Sequence, residues 1–345
     1  MSIDFEDGIV ELAHGSGGRA MQTLIQDLFV KEFDNEALYA GEDQATLNKP
    51  DGRIVVATDS HVISPLFFPG GDIGSLAVHG TINDVVMSGA RPIALTAAFI
   101  LEEGFALSDL KRIVQSMANA CKQSHVSIVT GDTKVVERGN GDGVFINTTG
   151  IGVIEHNASL SAKSIRPGDK IILSGSIGEH GMTIMAQREG LSASNAAQIG
   201  ALKSDSAALD SLVAGMLPYI EHIRCMRDPT RGGLAATLNE LAQSANRNFI
   251  ISESDLSVQP AVAAYCEILG LDPLYLANEG KLVAICDSPI ADRLLETMRG
   301  NPLGRGAAII GEVSSDSGAY VEMQTLYGGR RLVDWRYSDP LPRIC

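Results

Sequence analysis

The sequence predicts an α+β protein of two domains that ends in a flexible C-terminal tail. The chain has 345 residues, and at about 150 residues per domain this length suggests two domains. In both halves, segments of strand composition alternate with segments whose apolar residues repeat at helical spacing. The last ten residues contain two prolines, which favour an extended, non-helical run.

The first predicted domain covers residues 1–155. It opens with the glycine-rich stretch His14-Gly15-Ser16-Gly17-Gly18, and the apolar spacing from Met21 to Phe29 predicts a helix directly after it. The elements that follow are a buried strand at 54–57, a helix from 73 that stops near 89, a strand at 92–101, a helix at 107–121, and strands at 126–129 and 144–154.

The second predicted domain covers residues 156–335, and a mobile tail covers residues 336–345. A polar stretch at 192–206 reads as an exposed connection. The predicted elements of this domain are strands at 170–173, 282–286, 307–313 and 320–323, a helix around 209–216, and a helix that opens at 226–234 and runs to 245.

Charge and cysteine usage exclude several classes of function. A net charge of −15 argues against a surface for nucleic acid or anionic lipid. No apolar run approaches the roughly 20 residues that a membrane span needs, and the acidic N-terminus is not a signal peptide. The five cysteines are widely spaced and lack zinc-ligand spacing. We therefore expect a cytoplasmic protein.

Two kinds of residue are candidates for a nucleotide site. Gly15 and Gly17 precede a helix, where backbone N–H groups can face a phosphate, although a flexible turn explains them equally well. Carboxylates recur at loop and helix positions on separate elements, as Mg²⁺–nucleotide sites require, although each alone is also an ordinary turn or cap residue. These acids are Asp43, Asp59, Asp84, Asp132 and Asp228.

Several stretches of the sequence resemble a known superfamily. The stretches Gly41–Ala45, Asp59–Pro92, Thr130–Lys134 and Arg227–Leu234 are similar to the ATP-using enzymes that include aminoimidazole ribonucleotide synthetase, selenophosphate synthetase and thiamine-monophosphate kinase. The stretches 65–72 and 131–135, together with the terminal Pro342-Arg343-Ile344-Cys345, resemble one family within it. This is the HypE family, the carbamoyl dehydratases of [NiFe]-hydrogenase maturation.

The resemblance implies a fold, a substrate and partners. The fold is the two-domain aminoimidazole ribonucleotide synthetase-like one, which forms a homodimer through its N-terminal sheets and binds ATP and Mg²⁺ near the interface. The substrate is Cys345, S-carbamoylated by a partner carbamoyltransferase. ATP phosphorylates the carboxamide oxygen, loss of phosphate leaves a thiocyanate, and the cyanide passes to iron carried by maturation scaffold proteins.

The resemblance also implies a role for each matching residue. It assigns Asp43, Asp84 and Asp228 to the metal, and it places Lys134 and Glu279 near the reacting group of the tail. It assigns to the nucleotide Asp59, Asn83, Thr130, Gly131, Asp132 and Thr133.

Three other interpretations stay open from the sequence. Selenophosphate synthetase would carry a reactive cysteine near the glycine-rich loop, whereas the first cysteine here is Cys121. Thiamine-monophosphate kinase needs no terminal cysteine. A non-catalytic maturation scaffold would use the tail only as a docking peptide.

Overall fold

The structure is a computed structural model that describes residues 3–190, 201–335 and 343–344. Cys345, most of the predicted tail and the greater part of the predicted polar connection lie outside the described residues. Within the described range the chain forms two α+β units, as the sequence predicts.

The first unit is built on a four-stranded sheet with the order β1-β6-β4-β5. Strands β4 and β5 are parallel, and the other pairs are antiparallel. A two-stranded hairpin, β2-β3, lies outside this sheet. The strands are β1 (Arg53–His61), β2 (Phe67–Phe68), β3 (Gly71–Asp72), β4 (Arg91–Glu102), β5 (Ile128–Val136) and β6 (Val144–Ile154).

Helices cover one face of the first sheet, and within the described residues the other face is left open. Helix α2 packs on β1 and β6, and α3 packs on α2. The helix predicted after the glycine-rich stretch begins as α1 and continues through a π-helical segment, Ile25–Val30. The helices of this unit are α1 (Arg19–Leu24), α2 (Ile73–Val86) and α3 (Leu107–Gln123), with shorter helical segments at Lys31–Phe33 and Glu36–Tyr39.

The second unit is a seven-stranded sheet with the order β13-β12-β9-β11-β7-β10-β8. Its strands are β7 (Lys170–Leu173), β8 (Ile223–Arg227), β9 (Phe249–Ser252), β10 (Val283–Cys286), β11 (Ala308–Val313), β12 (Val321–Gln324) and β13 (Arg330–Val333). Its helices are α4 (Glu179–Arg188), α5 (Asp210–Met216), α6 (Gly233–Ala245), α7 (Pro260–Leu269) and α8 (Ala291–Arg299).

One apolar core crosses the boundary between the two units. Leu76 and Ile82 of α2 belong to the same buried cluster as Leu212 of α5 and Leu276. A smaller cluster fills the far side of the second sheet, around Phe249 and Leu238. Because burial of apolar surface is the main stabilising term, the two units are held together along this seam.

Two strand predictions for the first unit are wrong in an informative way. Residues 54–57 were expected to be buried, but Ile54 is 60% exposed and Val56 is 63% exposed. The reason is that β1 is an edge strand, and none of the described residues forms a layer over its outer face. The strand expected at 126–129 runs instead over Ile128–Val136, so Thr130–Lys134 lie within β5 and not beyond its end.

Candidate active site

Polar side chains meet where the end of β1 faces α2 and the second unit. Asp59 lies on the inner face of β1, where its Oδ2 atom is 3.4 Å from His61 Nε2 and its Oδ1 atom is 3.8 Å from an Arg231 guanidinium nitrogen. Helix α2 approaches closely at Gly80, where a Cβ atom would stand 3.0 Å from His61 Nε2. The absence of a side chain at Gly80 therefore lets α2 lie against the strand.

Helix α2 presents Asn83 and Asp84 to this region. Asp72 caps the helix through the amides of Gly74 and Ser75, which fixes where α2 begins. The buried Asn83 amide donates to the carbonyl oxygens of Ala207 (3.1 Å) and Glu279 (3.3 Å). Its own oxygen accepts from the Leu209 amide at 2.8 Å. Asn83 thus ties α2 to the second unit and positions the segment that carries Glu279.

Glu279 is held in a buried frame made by Asp205. The two carboxylate oxygens of Asp205 accept from the amides of Glu279 (3.1 Å) and Gly280 (3.3 Å). Asp205 also pairs with Lys281 at 2.9 Å, and both side chains are largely buried. A Cβ on Gly280 would stand 1.9 Å from the Asp205 carbonyl oxygen, so only glycine fits beside Glu279.

The carboxylates in this region raise one another's pKa. Burial raises the pKa of Asp84 to about 7, and the charges of Asp228 and Asp59 add to the effect. Burial raises the pKa of Asp228 to about 6, again with a contribution from Asp59. The pKa of Glu279 also lies well above its ordinary value because of burial, with Asp228 the largest contributing charge. This acidic cluster of Asp59, Asp84, Asp228 and Glu279 spans both units.

The acidic cluster fits a magnesium ion that is shared with phosphates. Glu279 Oε1 is buried and has no hydrogen-bond partner among the described residues, and burial together with neighbouring acids raises the pKa values of Asp84 and Glu279 although Arg231 opposes the effect. Among the described residues, no three acids, histidines or cysteines converge closely enough to hold a metal by themselves. Mg²⁺ usually takes one or two carboxylates plus waters and substrate phosphates, so the cluster supplies a suitable share of ligands.

Other predicted site residues lie at the opposite edge of the sheet. A cavity of about 500 Å³ between the N-terminal helical run and β5 is lined by Asp43 and by Thr130, Gly131, Asp132 and Thr133. Strand register aligns Gly131 with Ala97, Thr148 and Asp59 across four strands. Three strand spacings separate Gly131 from Asp59, or roughly 14 Å. One chain therefore presents two separate groups of predicted residues.

Lys134 lies on the outer face of the first sheet. It pairs with Asp132 at 2.7 Å and stands opposite Ile100, which is 44% exposed. Asp59 faces the other side of the same sheet, towards α2. The structure therefore does not bring Lys134 to the acidic cluster within one chain.

The two predicted phosphate-binding glycines have packing and turn roles. A Cβ on Gly15 would stand 2.7 Å from the Val135 amide nitrogen, so this glycine lets the chain lie against β5. Gly17 has a φ of +80°, a conformation that glycine adopts without strain. Both observations support the turn interpretation of this stretch.

Sequence reasoning missed three residues of the cluster region, namely His61, Asp205 and Arg231. His61 and Arg231 lie inside stretches that resemble the superfamily, so their positions beside Asp59 could have been suspected. Asp205 lies in a polar segment with no motif, and only the folded structure shows that it frames Glu279.

Comparison with known proteins places the whole chain. Residues 41–154 match the family of AIR synthase related proteins, N-terminal domain, and residues 166–324 match the corresponding C-terminal domain. "Carbamoyl dehydratase HypE" from Azotobacter vinelandii is 60% identical over 343 residues, which is 99% of each chain. The chain belongs to the HypE family.

Solved structures of HypE proteins agree with this assignment. A crystal structure described as hydrogenase maturation protein HypE in complex with ATP has a TM-score of 0.92 and 47% identity, covering 97% of this chain and 99% of that one. A HypE–HypF complex has a TM-score of 0.79 and 47% identity, covering 91% and 99%. The predicted family and fold class are thereby confirmed.

Membrane insertion finds no support in the described part of this HypE-family chain. None of the helices in residues 3–190 and 201–335 combines the length and the apolar character that a bilayer span requires.

Proposed function

We propose that this chain is an ATP-dependent carbamoyl dehydratase that converts an S-carbamoyl group on Cys345 to a thiocyanate, the source of the cyanide ligand of [NiFe]-hydrogenase iron. The observation that carries this proposal is the match, over 99% of the chain, to a relative named carbamoyl dehydratase. The acidic cluster supports it, because it offers a buried carboxylate beside acids suited to Mg²⁺–ATP.

The oxygen of the carbamoyl group is a poor leaving group, so it must be activated before the nitrile can form. The carboxamide oxygen attacks the γ-phosphorus of ATP and releases ADP, which turns that oxygen into part of a phosphate. The nitrogen then loses its protons, the C–O bond breaks, and inorganic phosphate departs as the C≡N bond forms. The net reaction removes one water from the carbamoyl group and hydrolyses one ATP.

Glu279 is the proposed base. A carboxylate whose pKa is raised by burial is a better proton acceptor than an ordinary one, once ionised. Asp205 fixes its backbone, and Asn83 holds its carbonyl oxygen, so the side chain is carried on a rigid segment. Glu279 Oε1, with no partner among the described residues, is free to accept the amide proton.

Asp84 and Asp228 are the proposed magnesium ligands, with Asp59 beside them. Bound Mg²⁺ would neutralise charge on the transferring phosphoryl group. Burial, together with the charges of neighbouring acids, raises the pKa values of Asp84 and Asp228, so a bound cation would stabilise their ionised forms. Arg231, 3.8 Å from Asp59, can turn its exposed guanidinium towards a phosphate.

A homodimer would bring the two separated groups of residues together. The outer face of the first sheet exposes Ile54, Val56 and Ile100, which is unusual for an uncovered sheet and is suited to a second copy of the same face. Lys134 and Asp132 lie on this outer face. We therefore assign Lys134, and Asp43 in the cavity at the same edge, to the site of the partner subunit.

Burial of the other thiols favours Cys345 as the carrier. Desolvation raises the pKa values of the four described cysteines to about 12, which suppresses the reactive thiolate; these are Cys121, Cys225, Cys266 and Cys286. The HypE–HypF complex supports docking of a carbamoyltransferase, and iron-carrying scaffold proteins would accept the cyanide. We expect these steps to take place in the cytoplasm.

The mass of the C-terminal peptide tests this function. After incubation of the protein with carbamoyl phosphate, the partner transferase and ATP, the peptide should first gain a carbamoyl group. Full turnover by the wild type should then remove one water from the adduct. Cys345→Ala should show neither change, while Cys121→Ala should behave as wild type. A carbamoyl adduct that survives ATP and Mg²⁺ unchanged would refute the proposal.

A further inference from the structure

Two residues close to the C-terminus are seated in the seam between the two units. Ile344 is 2% exposed and forms an antiparallel bridge with Ile63, just after β1. The Ser64 amide donates to the Arg343 carbonyl oxygen at 3.2 Å. This is strand addition on a small scale: the backbone supplies the pairing, and a pocket takes one side chain.

The second unit supplies the other half of the binding site for Arg343 and Ile344, which we call the seat. His180 of α4 is fully buried, and its Nε2 atom is hydrogen-bonded to the Ile344 carbonyl oxygen. Its Nδ1 atom lies 2.7 Å from Ser204 Oγ, which itself accepts from the Ser206 amide at 3.1 Å. The ring packs edge-on against Phe68, whose ring centroid is 5.5 Å away.

The hydrogen bonds define the state of the His180 ring. A carbonyl oxygen can only accept, so Nε2 carries the proton. The neutral ring then has an unprotonated Nδ1, which accepts from the Ser204 hydroxyl. Burial lowers the pKa of His180, which agrees with a neutral ring. Ser204 therefore fixes the tautomer that can bind the Ile344 carbonyl oxygen.

A surface ion pair adds little to this seat. Arg343 pairs with Asp142 at 2.7 Å, but the side chains are 54% and 46% exposed. Exposed pairs of this kind contribute little to stability because water and salt screen them. The buried contacts of Ile344 are therefore the ones that can select a sequence.

We propose that His180, oriented by Ser204, is a positioning residue that seats the C-terminus by binding the Ile344 carbonyl oxygen, and that the pocket beside Ile63 selects an apolar residue next to the last. This inference rests on the proposed function only in that the residue so positioned precedes the carrier cysteine. Removal of one such hydrogen bond should weaken seating on the order of five- to tenfold.

Hydrogen exchange at the Ser64 amide measures seating without any chemistry. In the full-length protein this amide should exchange slowly, because it donates to Arg343. His180→Ala and Ile344→Asp should each speed exchange at Ser64, whereas His180→Gln, which keeps a donor near the Nε2 position, should restore most of the protection. His222→Ala, an exposed histidine paired with Asp287, is the matched control.

The outcomes separate this inference from the proposed function. If Ser64 exchange is the same in wild type, His180→Ala and Ile344→Asp, the seat is wrong whatever the enzyme does. Ile344→Asp changes only the tail, so it gives an answer even if His180→Ala does not fold. If exchange responds as expected but no dehydration occurs, the seat is supported and the proposed function is refuted. In the active enzyme, His180→Ala should lower kcat for dehydration and leave the KM for ATP unchanged.

Discussion

The affinity for Mg²⁺–ATP should depend on the ionisation of Asp84. Its pKa of about 7 means that, in the absence of metal, about nine tenths of Asp84 is ionised at pH 8 and about one tenth at pH 6. A magnesium ligand must be deprotonated, so binding of the metal should release a proton near neutral pH. Binding should thus weaken about tenfold from pH 8 to pH 6 on account of this group alone.

Asp84→Asn isolates this contribution. Phosphate groups also titrate near pH 6, so the informative quantity is the difference between wild type and variant at each pH. The variant should bind Mg²⁺–ATP more weakly at pH 8, and the difference should shrink towards pH 6, where wild-type Asp84 is mostly protonated. Asp292→Asn, at an exposed acid in the first turn of α8, is the control and should match wild type.

Calorimetry in buffers of different ionisation enthalpy measures both affinity and proton release. At pH 7, wild type should release about half a proton more than Asp84→Asn, because an acid with a pKa near 7 is half protonated there. Equal affinity and equal proton release in the two proteins at every pH would remove Asp84 from the metal site.

Three further predictions follow from the same geometry. A carboxyl pKa that is higher in the folded than in the unfolded protein lowers stability as pH rises. Ligand-free Asp84→Asn should therefore be more stable than wild type at pH 8, by on the order of 1 kcal/mol because the site is partly exposed, and this gain should vanish near pH 4. Thermal unfolding at both pH values measures the difference. In light scattering, wild type should have the mass of the proposed homodimer and Val56→Asp that of a monomer, with Asp51→Asn as control; a Val56→Asp dimer that persists at micromolar concentration would contradict the interface. Lys134→Ala and Glu279→Gln should each abolish dehydration. If the two residues serve one site from different subunits, mixed dimers of these variants should regain activity. Inactive mixed dimers would instead place both residues in the site of one chain.

The sequence predicted the larger units well because their signals are local. Helix α3 was expected from the apolar spacing of Leu110, Ile113 and Met117, all of which are buried. The sequence also predicted the bounds of β6, whose residues are typical of a strand, and β6 is paired on both sides. Local pattern and global fold agree at these elements.

Burial was harder to predict at β1 and β5, because composition does not show what covers a strand. Ile54 and Val56 look like core residues, but nothing in the described chain covers them. The polar run Thr130–Lys134 suggests a loop, although it continues β5 along an edge of the sheet. Ile54, Val56 and Lys134 lie on the outer face of the sheet, where the proposed partner subunit would bind.

The candidate site was predicted as a set of residues and not as a geometry. Asp84 was one of the acids assigned to the metal by the resemblance, and it does lie in the acidic cluster. The separation of Gly131 from Asp59 follows only from strand order, which one sequence does not reveal. Asp205 acts through backbone amides 74 and 75 residues along the chain, a distance at which no local pattern operates.

Oxygen tracing tests the central claim most directly. The tail cysteine is carbamoylated with a group that carries ¹⁸O in its carboxamide, and ATP with Mg²⁺ is then added. If ATP activates that oxygen and phosphate is eliminated, the label must appear in inorganic phosphate as the tail loses one water. Label in phosphate, in a one-to-one ratio with thiocyanate formed, is the predicted result. Unlabelled phosphate formed alongside an intact carbamoyl group would show that ATP is merely hydrolysed, and would contradict the account.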